Sequence, residues 1–134
     1  MIDKDVIQIE IPSHHKHLRT VTDAIGQLLA YVEDAQTVYN VQLAMQEACT
    51  NIVEHAHKSQ PECRIRITMS AEPHCFVGEL VDHGEPYDIS VPPDIDLETP
   101  HVRGYGLFLI HQLMDEITYN VTSDGNHWRL VKYF

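Results

Sequence analysis

The sequence predicts an α+β fold, a two-layer α/β sandwich in which a mixed, mostly antiparallel sheet carries about three helices on one face. Two observations point there. The apolar period switches between two and three-to-four along the chain, giving the order strand, helix, helix, strand, strand, loop, helix, strand, strand. Hairpins dominate that order, which favours antiparallel pairing with the helices gathered on one side. At 134 residues the chain suits one hydrophobic core, so residues 1–134 read as a single domain without internal repeats.

In order along the chain, Ile7, Ile9 and Ile11 share one face and Gln8 and Glu10 the other, an edge-type strand that stops at Pro12. Ser13 is placed to N-cap the next helix, whose stripe is Leu18, Val21, Ile25, Leu28, Leu29 and Val32. Asp34 caps a second helix running to about His57, with Val41, Ala44, Met45, Ala48, Ile52 and Ala56 facing inward. Beyond Pro61 the period becomes two, and Arg64–Met69 with Cys75–Val81 form a hairpin around Glu72-Pro73-His74. Residues 85 to 103 hold four of the seven prolines and no periodicity, the mark of a long loop that is either functional or disordered. A third helix follows from Gly104 to about Glu116. The closing strands, Ile117–Thr122 and His127–Tyr133, flank the turn Ser123-Asp124-Gly125-Asn126.

Composition narrows the function. No apolar run approaches the ~20 residues of a membrane span, and the opening MIDKDVIQIEIP is strand-like rather than signal-like, so the expected location is the cytoplasm. Cys49, Cys63 and Cys75 cannot all pair and form no Cys-x-x-Cys, which reads as reduced thiols. Nine Lys and Arg against 20 Asp and Glu give a formal charge of −11, unsuited to direct contact with nucleic acid or anionic lipid. Partners are therefore expected to be proteins or small molecules. Among ten histidines, His14-His15-Lys16-His17 can be read as a metal site or as a solvated helix start; the missing ligand spacing favours the second.

Three segments carry candidate chemistry. Glu47, Asn51 and His55, four apart, line one side of the second helix at the border of its apolar stripe. A carboxylate with an amide oxygen one turn later suits magnesium, or a general base beside it, although the same spacing also occurs on solvated faces. Asp82-His83-Gly84 ends an apolar strand: its carboxylate can accept a hydrogen bond from an exocyclic amine, and its glycine admits a flat ring close to the main chain, unless it is an ordinary turn. In Arg103-Gly104-Tyr105-Gly106-Leu107 two glycines open a helix at a cost of ~1 kcal/mol each relative to alanine. The gain is a set of exposed N–H groups at a positive helix terminus, with Arg103 as a second phosphate donor.

In this order the three resemble the N, G1 and G2 boxes of the GHKL (histidine kinase-like, Bergerat) ATPase superfamily. The fuller words Glu47-Ala48-Cys49-Thr50-Asn51-Ile52-Val53-Glu54-His55-Ala56, Asp82-His83-Gly84-Glu85-Pro86-Tyr87-Asp88 and Gly106-Leu107-Phe108-Leu109-Ile110 resemble its anti-sigma-factor serine/threonine kinases. The resemblance spans nearly the whole chain. It implies ATP and Mg2+ as cofactors, Asn51 as the metal residue, Glu47 as catalytic base or as the group that positions the acceptor hydroxyl, and Asp82 as reader of the adenine amine. His55, Gly84, Arg103, Gly104, Tyr105, Gly106 and Leu107 would shape the nucleotide site beneath a lid at about 85–103. The implied partners are a STAS-type anti-sigma factor antagonist, phosphorylated on serine or threonine, and a sigma factor held inactive by a homodimer. Pro86 stands where a full G1 box has glycine, and Gly125-Asn126-His127 where relatives often place a threonine near adenine. The lid is acidic, with Glu85, Asp88, Asp94, Asp96 and Glu98. Beside it polyphosphate needs Mg2+, with Arg103 as its main protein support.

Three other readings compete. A nucleotide-gated binding module without kinase activity would keep every box. The ATPase half of a sensor kinase would need a dimerisation helix pair bearing an acceptor histidine, and the last alternative is an unrelated acidic interaction domain.

Overall fold

The computed structural model describes residues 4–86 and 105–134, Tyr105 by its backbone alone. Five strands, β1 (Asp5–Pro12), β2 (Arg64–Glu72), β3 (Cys75–Asp82), β4 (Glu116–Thr122) and β5 (Gly125–Tyr133), form one sheet in the order β1-β2-β3-β5-β4. Three α-helices accompany them: α1 (Leu18–Leu28), α2 (Ala35–Asn51) and α3 (Tyr105–Leu113). Every neighbouring pair of strands is antiparallel. Of the two expected arrangements, mixed or antiparallel, the described strands take the antiparallel one, for a topological reason. The two strands on either side of α3, β3 and β4, run in the same direction, but β5 is inserted between them.

Alternation along the strands builds the two layers. Ile65, Ile67 and Met69 of β2, Phe76 and Leu80 of β3, and Trp128 and Leu130 of β5 are buried with Val21, Ile25, Met45, Ala48 and Ile110 of the helices. The opposite sheet face presents Arg66, Glu79 and Arg129 to solvent. The second helix lies so close to the sheet at Gly78 that a Cβ there would stand 2.5 Å from Met45 Sδ. Asp34 caps α2 as expected, its Oδ1 accepting from Gln36 N at 3.0 Å and its Oδ2 from the Thr37 hydroxyl at 2.9 Å.

Three expectations change. Ser13 does not cap α1. A 3-10 turn, His15–His17, precedes that helix, and His14 caps the turn, its Nδ1 accepting from Lys16 N at 3.1 Å. Ser13 is buried instead, its amide donating to Cys63 O at 2.8 Å and its hydroxyl lying 2.8 Å from His57 Nδ1. The third helix stops at Leu113, short of Glu116, because the Asp115 amide donates to Val131 O at 2.8 Å and the chain passes directly into β4. After Asn51 the second helix widens into a π-helical turn, Ile52–Ala56, closed by His57 N donating to Ile52 O at 2.9 Å. Such turns concentrate at functional sites.

His57 is 4% exposed. Burial pushes its pKa below the ordinary 6.5, with Asp82 pulling upward and His83 pushing further down. The unfolded chain therefore takes up this proton at higher pH than the folded one. The stabilisation is present above about pH 6.5 and is lost as pH falls through the window below it. We expect the melting temperature to drop between pH 7 and pH 5.5, and His57→Gln to flatten that drop. Parallel melts of the two proteins at each pH check this.

Candidate functional site

The polar side of α2 and the ends of β3 and α3 meet in one place. Asn51 is 7% exposed although it belongs to the polar line of its helix, and among the described residues its Nδ2 has no hydrogen-bond partner. An unsatisfied buried amide is costly, ~1–3 kcal/mol, and calls for an explanation at the site. Asp82, 1% exposed, ends β3, and its Oδ1 accepts from Gly84 N at 2.9 Å and from Asn126 Nδ2 at 2.8 Å. Asn51 and Asp82 line the same narrow crevice, together with Ile52, Ala56, Tyr119 and Trp128. The Tyr119 and Trp128 ring centroids, both in its lining, stand 4.7 Å apart. As it stands the crevice has no room for a water molecule, so a flat ring would enter only as its walls part.

The third segment joins at Gly106. A Cβ there would come within 2.8 Å of Glu47 Oε2 and 3.5 Å of Asn51 Oδ1, so the opening turn of α3 lies directly against the two polar residues of α2. Glu47 is half-buried. Desolvation pushes its carboxyl pKa above the ordinary 4.5, and the Glu54 carboxylate pushes it further. A half-buried carboxyl tuned upward is a usual condition of a general base.

The remaining expected residues fall as follows. Gly84 is pressed against the π-helical turn, where the Glu85 amide donates to Ala56 O at 3.0 Å. His55 is half-buried on that turn and does not line the crevice. Tyr105 begins α3, and Leu107 is buried in the core, where it contributes packing. Arg103, Gly104 and the lid beyond Pro86 lie outside the described residues. Just past β3, Lys58 Nζ pairs with Glu85 at 2.9 Å on the surface. Among the described residues no three His, Cys, Asp or Glu side chains converge as a metal site. A magnesium ion at Asn51 would therefore complete its shell with phosphate oxygens and water, as that ion commonly does.

A larger cavity of about 720 Å3 lies behind the wall formed by Ala56 and Gly84, beside Lys58, Arg64, Arg66 and His83. It contains neither Glu47, Asn51 nor Asp82, so size alone does not locate the chemistry. Sequence reasoning missed Glu54 as the neighbour that tunes Glu47, and Tyr119 and Trp128 as lining of the crevice. It also gave Asn126 no role. The last is opposite Asp82 in strand register, a relation visible only once β3 and β5 are known to pair.

Known proteins resemble this chain in sequence and in fold. Residues 11–132 match the histidine kinase-like ATPase domain family. The serine-protein kinase RsbW of Bacillus cereus (strain AH820) is 30% identical over 125 residues, covering 83% of this chain and 74% of the relative. That of Bacillus licheniformis is 24% identical over 130 residues, covering 89% and 80%. A crystal structure of the RsbU and RsbW domains of a Mycobacterium tuberculosis protein superposes with a TM-score of 0.63 at 16% identity, covering 96% of this chain and 32% of that one. The chain thus spans about a third of that solved protein, and the likeness there is one of fold. With three ordered motifs gathered on one side of α2 and the family match running through nearly the whole chain, the chain belongs to the histidine kinase-like ATPase domain family, in its branch of RsbW-type serine-protein kinases.

Proposed function

We propose that this chain binds ATP with Mg2+ and transfers the γ-phosphoryl group to a serine or threonine hydroxyl of a STAS-type antagonist, and that it sequesters a sigma factor when that antagonist is unavailable. The observation that carries the reading is the buried Asn51 Nδ2, without a partner among the described residues, in the crevice it shares with Asp82, beside Glu47 and Gly106. A bound magnesium nucleotide supplies the phosphoryl group and offsets its charge.

The protein's own groups do the rest. Asp82 presents a carboxylate to an exocyclic amine, and Gly84 lets a ring approach the main chain. Asn51 offers an amide oxygen to the metal and an N–H to a phosphate oxygen. Glu47 accepts the proton of the incoming hydroxyl as the new O–P bond forms and the bond to the departing diphosphate breaks. Positioning and charge neutralisation supply most of the rate in such transfers. Arg103 and Gly104 join the phosphate side in this reading, and the segment to about 103 acts as its lid. Partner switching in the cytoplasm as a homodimer belongs to the same reading. The free edge of β1, with Val6 half exposed, supports pairing with a second copy.

The test is nucleotide binding and transfer together. Saturating Mg-ATP should raise the melting temperature by mass action, and Asp82→Asn should weaken ATP by about tenfold or more, the loss expected when a charged acceptor is replaced. A wild-type melt unmoved by Mg-ATP would overturn the reading. Binding without any transfer to candidate antagonists would favour the nucleotide-gated module instead.

A further inference from the structure

The cavity of about 720 Å3 lies within the roughly 300–1,000 Å3 of small-molecule clefts. Glu10, Arg66 and Val81, which stand in one row across β1, β2 and β3, line it on the sheet side. Its lining gathers positive charge on an otherwise acidic chain. Lys58, Arg64 and Arg66 are three of only nine Lys and Arg, and they stand here beside Glu10 and Glu85. Arg64 and Arg66 are two apart on β2 and both exposed, so they project from the same face of the sheet. Two of the three cations are only loosely engaged. Lys58 pairs with Glu85 at 2.9 Å and Arg64 Nε with Glu10 at 3.9 Å, all four side chains more than half exposed, and such pairs open at little cost. Among the described residues Arg66 enters no ion pair.

A buried donor faces the same space. His57 lines the cavity although only 4% of it is exposed. Its Nδ1 lies 2.8 Å from the Ser13 hydroxyl, which holds the ring in place, and among the described residues its Nε2 has no partner. With the hydroxyl donating to Nδ1, the proton of the neutral ring sits on Nε2 and lacks an acceptor.

We infer that this cavity is a second ligand site, built for a phosphate group: Arg64 and Arg66 offer guanidinium forks, Lys58 a movable charge, and His57 a fixed neutral donor. Phosphate fits the set better than carboxylate, because it brings nearly two charges and three acceptor oxygens instead of one and two. The formal charge of −11 speaks against an extended phosphate surface, so the ligand is small, either the free ion or a phosphate monoester. None of Glu47, Asn51 and Asp82 lines the cavity, so the inference stands apart from the nucleotide reading.

Imidazole nitrogen NMR on the full chain tests it, with inorganic phosphate and glycerol phosphate as probes and chloride at equal ionic strength as baseline. Phosphate should shift the His57 ring signals saturably. Arg66→Ala should weaken that titration about tenfold, the scale of one lost charge-assisted hydrogen bond, and Arg66→Lys should recover only part of it. Arg66 is exposed, so both variants should melt like the wild type. Tighter binding of glycerol phosphate would sustain the site and assign it to a monoester, and tighter binding of the free ion would sustain it for phosphate itself. His57 signals that move no more with either probe than with chloride would overturn the inference. So would an Arg66→Ala protein that titrates like the wild type.

Discussion

Replacing Glu47 with glutamine should lower the phosphoryl-transfer rate by about 10²–10⁴-fold, the usual contribution of a positioned base, while ATP affinity changes by no more than a few fold. The side chain is nearly isosteric, and it lies beside Asn51 and Gly106 rather than in the crevice that Asp82 lines. The sign of its pH dependence follows from its surroundings. Burial first, then Glu54, hold the Glu47 pKa above 4.5. The base is active only when ionised, so the rate should rise with pH through an inflection above the ordinary carboxylate range. Glu54→Gln should move that inflection down. Stability runs the other way. A carboxyl whose folded pKa is raised costs the fold stability once pH exceeds the unfolded value, so Glu47→Gln should melt no lower than wild type at pH 7. Single-turnover transfer assays across pH, with melts alongside, check all of this. A Glu47→Gln protein that phosphorylates its partner at the normal rate would remove the base assignment.

Gly84→Ala is expected to have the largest effect on the fold. Its Cβ would stand 2.2 Å from the Ala56 carbonyl oxygen and 2.5 Å from the carbonyl carbon. Those are backbone atoms of the π-helical turn, and the same carbonyl accepts from Glu85 N. Relief would require the turn or the end of β3 to move, and the latter carries Asp82. A loss of about 3 kcal/mol, or roughly 10 °C in melting temperature, is the expected scale of overpacking at so rigid a contact. Gly106→Ala is the informative contrast. Its Cβ would meet the far end of the Glu47 side chain, which can swing aside, so stability should barely change. Urea or thermal melts of the two variants side by side decide it, and equal stability would show that the Gly84 contact is more yielding than its geometry implies.

Much of this was legible in the sequence because it is local. Period-two runs around Ile7–Ile11 and Ile65–Met69 announce strands whatever they pair with, and Asp34 caps a helix with atoms two and three residues away. The motif order around Asn51, Asp82 and Gly106 was legible for a different reason, since each box needs residue types that are costly elsewhere. What stayed hidden depends on partners far along the chain. Ser13 looks like a cap, yet a buried imidazole 44 residues away takes its hydroxyl. Asn126 looks like part of a turn until it is seen to hold Asp82, also 44 residues distant. Pure antiparallel pairing was hidden too, because nothing local says that β5 lies between β3 and β4. The π-helical turn likewise leaves no mark in Ile52–Ala56, where the apolar spacing fits an ordinary helix.

The hydrogen bond at Ala56 has a mechanical consequence. Just past β3 the chain is tied to the widened end of the second helix, the Glu85 amide donating to Ala56 O at 3.0 Å. A displacement of that turn is therefore passed to the strand end that carries Asp82, so helix end and strand end move as one piece.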